Sequence, residues 1–378
     1  MYELRRSIDR RMRKLKMPKC LKEFVVGFNL SEKKDFLLGQ DSFDKLMSIS
    51  PSPKGTSIVN RRQEKINYDL SIVVPAYNVS QYVADCIKSL IDQDTEYKYQ
   101  IILINDGSTD GTRDILLDYS KKYPTNIIFI DQGNKGLSGA RNVALNYVSG
   151  RYITFVDTDD VVTSKFVQSL LKVAYEQDAD IVEGSYQVID VDDNVIQSNI
   201  HFLNTNVNAF KALYGYPWGK AYRSSLLNDI QFPEGFWYED TMQMYRLWPK
   251  ANKIITIPEI IYRYRKNPQG ITNDSKGKVK ALDSLYITIR LLEDCNVEHI
   301  ALDGDLYNFT LSQMAMNFLR IQDLDENILK NAFNVITQTI DKFFPADVFK
   351  TSDVQLRKLE ESLRNKDYKK FVVYCIML

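Results

Sequence analysis

An α/β fold on a mostly parallel sheet is the architecture that this sequence predicts, on three observations. Between Leu70 and Asp160, short runs of β-forming residues alternate with amphipathic helical stretches. The runs are almost wholly apolar, as strands are when helices cover both faces of their sheet. Their C-terminal ends carry turn formers and carboxylates, at the edge where an open α/β sheet holds its ligand.

Each element follows from local chemistry. Residues 1–68 read as a helical leader and linker. Arg5, Arg6, Arg10, Arg11, Arg13, Lys14, Lys16, Lys19 and Lys22 make its start basic, with Leu4, Ile8, Met12 and Leu15 at helical spacing. Such a helix suits an anionic membrane surface, a partner subunit or the protein's own body. Ser48 to Ser57, with Pro51, Pro53 and Gly55, reads as a linker. Strands are then expected at Leu70–Val74, Gln100–Ile104, Asn126–Ile130 and Tyr152–Val156. Helices are expected at about Tyr82–Ile91, Thr109–Tyr123 and Ser138–Val148. A helix at Phe166–Glu176, a strand from Ile181 and a turn at Asp192-Asp193-Asn194 follow, then a mixed, aromatic-rich stretch to Asn273. From 276 to 378 apolar residues such as Leu282, Leu285, Ile289 and Leu292 recur at helical spacing, which predicts several helices and a natural place for self-association. The expected divisions are 1–68, 69–275 and 276–378.

Composition excludes several classes. With 49 Lys+Arg against 49 Asp+Glu the formal net charge is +0, so no nucleic-acid partner is expected. Cys20, Cys86, Cys295 and Cys375 show no paired spacing, which argues against a zinc site or disulfide framework and fits a reducing cytoplasm. His201 and His299 are the only histidines, so a metal would be held by oxygen and a Ser-His-Asp triad is disfavoured. No apolar run approaches the ~20 residues that span a bilayer. The expected location is the cytoplasm, with the basic leader allowing peripheral contact with the inner face of the membrane.

The strand ends carry the chemistry. Tyr152–Val156 delivers Asp157, Asp159 and Asp160 together, and carboxylates so close are best tolerated around a cation. The alternative is that Asp159 or Asp160 caps a helix starting near Ser164. The first strand ends in Pro75-Ala76-Tyr77-Asn78, so the Gly-x-Gly-x-x-Gly turn of a dinucleotide-binding domain is absent. Proline and an aromatic there can wall a nucleobase, or Pro75 can simply stop the strand. The second ends in Asn105-Asp106-Gly107-Ser108-Thr109-Asp110. Gly107 suits a turn and Ser108 or Thr109 a helix cap, which leaves Asp106 to accept from a base N–H or a ribose hydroxyl.

Taken together, Ser71–Asn78, Asn105–Asp110, Asn134–Asn142 and Tyr152–Asp160 resemble the inverting, family 2 glycosyltransferases of the GT-A fold, of the bacterial cell-surface polysaccharide or teichoic-acid type. The resemblance covers about 90 consecutive residues, in the family's order. It implies a UDP-sugar donor held through Mn2+ or Mg2+. Pro75, Ala76 and Tyr77 would line the uracil and Asp106 would hydrogen-bond it. Asn134 and Arg141 lie where relatives bind the donor, although Arg141 could instead form a surface ion pair. Asp157 would contact the ribose or the metal shell, Asp159 would ligate the metal, and Thr158 lies between them in the donor motif.

Further on, Trp218-Gly219-Lys220-Ala221-Tyr222-Arg223 resembles a family segment with Asn in place of Gly219, and Glu239-Asp240 resembles the pair carrying the catalytic base. An inverting transfer is a one-step displacement, so the acceptor hydroxyl must lose its proton as it attacks. Asp240 is the expected base and Glu239 a positioning group; alternatively the two acids merely open a helix. Arg265, in Tyr262-Arg263-Tyr264-Arg265, is a candidate phosphate contact or an ordinary basic strand edge, and Asn267 follows where some relatives carry His. The terminal Cys375-Ile376-Met377-Leu378 fits a prenylation pattern that such an enzyme would not use.

The resemblance therefore implies a metal-dependent transferase moving a sugar from a UDP-sugar to a hydroxyl of a glycan or surface polymer. A non-catalytic partner subunit of the same fold is the alternative. A nucleotidyltransferase would want a Gly-rich basic loop after strand one, and Asn78-Val79-Ser80-Gln81 is not one.

Overall fold

The computed structural model describes residues 41–266 and 277–378. The basic helix expected before residue 23, and Asn267, lie outside the described residues. The chain forms two compact units. One contains residues 52–274 and 286–301, the other the N-terminal 51 residues with 275–285 and 302–378. These limits differ from the divisions at 68 and 275, because the stretch that reads as a linker is fastened to the first unit. Asp294 accepts from the Ser57 amide and hydroxyl, both at 2.7 Å, and Arg246 Nη1 donates to Ser57 Oγ at 2.6 Å.

The first unit is an α/β sheet in the predicted order. It contains β1 (Tyr68–Ala76), α2 (Val83–Ile91), β2 (Tyr99–Asp106), α3 (Thr112–Lys122), β3 (Ile127–Gln132), α4 (Gly136–Leu145) and β4 (Gly150–Phe155). Strands β3-β2-β1-β4 are parallel neighbours, with Val73 paired to both Ile102 and Phe155. Most of β1 and β2 is buried, as strands covered on both faces must be. Val83, Cys86, Ile87 and Leu90 of α2 fall at i, i+3, i+4 and i+7 and are fully buried against that sheet. Each such side chain contributes about 1.5–3 kcal/mol on leaving water.

Past β4 the sheet becomes mixed. It continues through β5 (Val161–Val162), α5 (Phe166–Glu176), β6 (Ile181–Ile189), β7 (Val195–Asn199), the short α6 (Ala209–Ala212), β8 (Lys220–Arg223) and β9 (Ile254–Arg265). The order continues β4-β8-β6-β9-β5, with β7 hairpinned onto β6. The turn falls where predicted, the Asp190 carboxylate accepting from the amides of Asp192 and Asn194, both at 2.9 Å. β8 runs antiparallel to β4, pairing Tyr152 with Arg223, and this lays the Trp218 segment beside the end of β4.

In the second unit α1 (Ser42–Ile49) packs on α9 (Glu326–Phe343). Asp303, Asp325 and Asp367 cap α8 (Gly304–Ile321), α9 and α11 (Tyr368–Met377), each carboxylate accepting a first-turn amide. Phe318, Phe333, Tyr368 and Phe371 interlock their rings as its core, and α10 is Arg357–Arg364. Helix α7 (Asp283–Val297) links the chain of both units. Ile289 is only half-buried, while Leu285 and Leu292 are fully buried. Cys375 is buried within α11. Among the described residues no helix is long and apolar enough to cross a membrane.

Candidate active site

Four loops meet at the C-terminal ends of β1, β2 and β4. The first two lock together. The Asn78 amide donates to Ser108 Oγ at 3.1 Å, and Asn78 Oδ1 accepts from the Thr109 amide at 2.8 Å. Asp110 accepts from the amides of Thr112 (2.9 Å) and Ser80 (3.1 Å), so the start of α3 is capped by Asp110 rather than by Ser108 or Thr109. Burial would raise the Asp110 carboxyl, but its hydrogen bonds from Thr112 and Ser80 outweigh that and hold it at about 2. Pro75 and Ala76 are buried at the strand end, and Tyr77 beside them is half exposed.

Asp106 is 3% exposed, and Oδ1 accepts from Gln132 Nε2 (2.7 Å) and the Lys135 amide (2.8 Å). Gln132 is thus a positioning residue that the sequence pattern did not single out, since its role depends on β3 lying beside β2. Gly107 takes φ +72°, and a Cβ there would stand 2.6 Å from the Asn134 amide nitrogen. Only glycine lets the β2 loop approach exposed Asn134 so closely.

Neither Asp159 nor Asp160 caps a helix: α5 begins at Phe166, and Lys165 precedes it with no side-chain cap. Asp160 is buried and accepts from the Tyr262 hydroxyl and the Arg265 amide, both at 2.7 Å. The same Tyr262 hydroxyl accepts from the Asp157 amide at 3.2 Å. Buried Thr158 donates to the Pro75 carbonyl at 3.2 Å, so it ties this loop to β1. Arg265 is not a basic strand edge. It is 4% exposed, donates from Nε to the Asp159 carbonyl at 3.0 Å, and pairs with Asp193 at 3.1 Å. Its guanidinium therefore supports the acidic loop.

Arg141 joins the two halves of the site. Its side chain is 2% exposed, with Nη2 3.1 Å from Asp157 and Nη1 2.7 Å from Glu239. The surface ion pair weighed from sequence is thus a buried one. Desolvation works against the charged guanidinium, but Asp157, Glu239 and Asp240 together raise its pKa. Glu239 and Asp240 do open a short 3₁₀ turn (Glu239–Thr241), after Tyr238 at φ +66°. A non-glycine residue in that region is strained, and such strain persists where surrounding structure over-determines it. Lys220 is also buried; desolvation lowers its pKa, while Glu183 at 3.3 Å and the nearby Asp240 favour its charged form. Gly219 takes φ +70°, a left-handed conformation that glycine and asparagine adopt most readily, which explains why either residue suits this position.

The residues present fit a divalent cation bound together with a diphosphate. Burial first, then Asp159 and Asp157, push the Asp160 carboxyl well above its usual range, so three acids share this loop. Asp160 is engaged by Tyr262 and Arg265, which leaves Asp157 and Asp159 as oxygen donors. Among the described residues no group of three or more His, Cys, Asp or Glu is arranged to hold a metal by itself. One or two carboxylates completed by substrate phosphates is a usual way to bind Mg2+.

Comparison with known proteins agrees with this arrangement. Residues 71–246 match the family model described as Glycosyl transferase family 2. Glycosyltransferase GlyA of Streptococcus pneumoniae is 33% identical over 212 residues, 52% of this chain and 30% of that protein. Glycosyltransferase GlyG of the same organism is 28% identical over 247 residues, 60% of this chain and 80% of that protein. The chain thus spans less than a third of one relative and most of the other. The crystal structure of S. aureus TarS 1-349 in complex with UDP-GlcNAc superposes with a TM-score of 0.63 at 22% identity, covering 81% of this chain and 90% of that one. That likeness is one of GT-A fold.

Proposed function

We propose, from the premise that this chain carries a domain of glycosyl transferase family 2 over residues 71–246, that it transfers a sugar from a UDP-sugar to a hydroxyl of a cell-surface polymer with inversion. The observation that carries the reading is the buried Arg141 link between Asp157 on the donor side and Glu239 on the acceptor side. It couples the two acidic motifs that a displacement at one carbon requires to be close.

In this reading Ala76 and Tyr77 pack on the base, and Asp106, oriented by Gln132, accepts its N–H. Asp157 and Asp159 hold Mn2+ or Mg2+, which when bound offsets the charge growing on the departing diphosphate. Asp240 takes the proton of the attacking hydroxyl, and Glu239, fixed by Arg141, aligns the acceptor beside it. The acceptor class is supported by relatives such as the poly(ribitol-phosphate) beta-glucosyltransferase of Bacillus spizizenii, 33% identical over 202 residues, 52% of this chain and 32% of that protein. The donor class is supported by the fold neighbour TarS, which was crystallised with UDP-GlcNAc.

The test is release of UDP from UDP-glucose and UDP-N-acetylglucosamine by the full chain with Mn2+, with and without wall polymer. Polymer-stimulated release, with sugar appearing on the polymer, is expected. Tight UDP binding without turnover of either sugar would instead favour a non-catalytic binding role.

A further inference from the structure

Four aromatic rings stack in a ladder that the proposed chemistry does not use. Trp218 lies flat on Tyr262, with ring centres 4.4 Å apart and planes 7° apart. On its other side Tyr216 lies flat at 4.7 Å and 4°. Tyr264 flanks both, 5.6 Å from Trp218 and 6.3 Å from Tyr216, with planes within 15°. Tyr262 and Trp218 are buried, but Tyr216, at the end of the ladder, is 43% exposed.

The ladder begins at the donor motif, since the Tyr262 hydroxyl donates to Asp160 and accepts from the Asp157 amide. The Tyr264 phenol is pushed up to about 12, chiefly by burial, and it also feels Asp160, Tyr216, Asp159 and Asp157. The other end leads toward the base. The buried Lys220 ammonium donates to the Tyr216 carbonyl at 2.6 Å, and Lys220 lies close enough to Asp240 to feel its charge. Glu183 fastens the same segment, accepting from the Tyr214 amide at 3.0 Å and pairing with Lys220 at 3.3 Å. A buried ion pair of this kind is a costly way to hold a loop unless its geometry matters.

We propose that Tyr216 is a stacking platform for the pyranose ring of the donor sugar, held flat by Trp218 and kept in register by the buried Lys220–Glu183 pair. The inference rests on the glycosyltransferase reading and extends it. In a one-step displacement the anomeric carbon lies between the diphosphate and the base. Tyr216 lies between the carboxylates assigned to those two roles, so a ring resting there belongs to the sugar being transferred. Pyranoses offer an apolar C–H face that packs on an aromatic ring, and a ring already stacked on its far side loses little freedom on binding.

The experiment measures dissociation constants of UDP, UDP-glucose, UDP-galactose and their N-acetyl counterparts, with Mn2+, for the full chain and for Tyr216→Ala and Tyr216→Phe. The readout is how much tighter the best UDP-sugar binds than UDP itself. Tyr216→Ala is expected to cut that gain by about 3- to 10-fold, the range of an aromatic contact, and to leave UDP unchanged. Tyr216→Phe should keep the gain, since the ring rather than the hydroxyl is used. An unchanged gain in Tyr216→Ala, a loss of UDP affinity equal to that of the sugar, or no gain in the wild type overturns the platform. If the wild type binds neither UDP nor any UDP-sugar, the donor reading itself fails and the platform falls with it.

Discussion

Arg141 and Glu239 form a 2.7 Å ion pair across 98 positions of sequence, with the Arg141 side chain almost wholly shielded from water. Removing one partner of such a pair leaves the other charged and poorly solvated, at about 3–5 kcal/mol. Arg141→Ala is therefore expected to lose stability of that order in a denaturant titration. Arg141→Lys should fall between it and the wild type, because an ammonium cannot fork to Asp157 and Glu239 together. Wild-type midpoints for both variants would mean that the link is not structural.

Asp240→Asn keeps the shape of the candidate base and removes its basicity. Sugar transfer should drop by about 10²–10⁴-fold, with UDP affinity unaltered. Transfer near the wild-type rate in a folded variant would take the base role away from Asp240.

Asp106→Ala should weaken UDP by about tenfold, the worth of one good buried hydrogen bond. Gln132→Ala should weaken it less, since it frees Asp106 from its 2.7 Å tether while keeping the acceptor. Calorimetric titration with UDP separates the two. Equal affinity in all three proteins would place the uracil elsewhere.

UDP affinity is expected to rise with Mn2+ and to fall on chelation. Asp159→Ala should bind UDP weakly and with no response to Mn2+, because one of the two candidate oxygen ligands is gone. UDP binding by the wild type that ignores EDTA would remove the metal role from Asp159 and Asp157.

The Asp110 carboxyl is held at about 2, below its ordinary 3.8, because the Thr112 and Ser80 hydrogen bonds outweigh its burial. A depressed carboxyl stabilises the fold above its ordinary value, and the contribution fades as pH falls through the window from 3.8 to about 2. The difference in melting temperature between wild type and Asp110→Asn should be constant near neutrality and shrink across that window. A difference that does not change with pH would show that Asp110 acts only by shape.

Much of the site was legible before the fold was known. Asp106, Asp157, Asp159 and Asp240 stand at strand or turn ends, where side-chain type and local pattern point to a crevice. Arg265 was harder. A basic residue ending a strand looks the same whether it faces solvent or, as here, the Asp159 carbonyl at 3.0 Å. Gln132 and Tyr262 escaped notice because their partners, Asp106 and Asp160, are 26 and 102 positions away, beyond the reach of any local pattern. Glu183 was hidden for the same reason, since it meets Lys220 only where β6 and β8 pair.

What the chain determines locally is its run of strands and helices, since apolar periodicity and turn chemistry act over a few residues. That is why β1 to β4 and the helices between them, and the chemistry at their ends, could be read directly. Tertiary structure alone decided that Ser57 fastens to Asp294, that Arg141 is buried between Asp157 and Glu239, and that Tyr216 ends a ladder of rings. Those relations arise when sheet order brings distant segments together, and pairing between distant segments leaves no periodic trace in sequence.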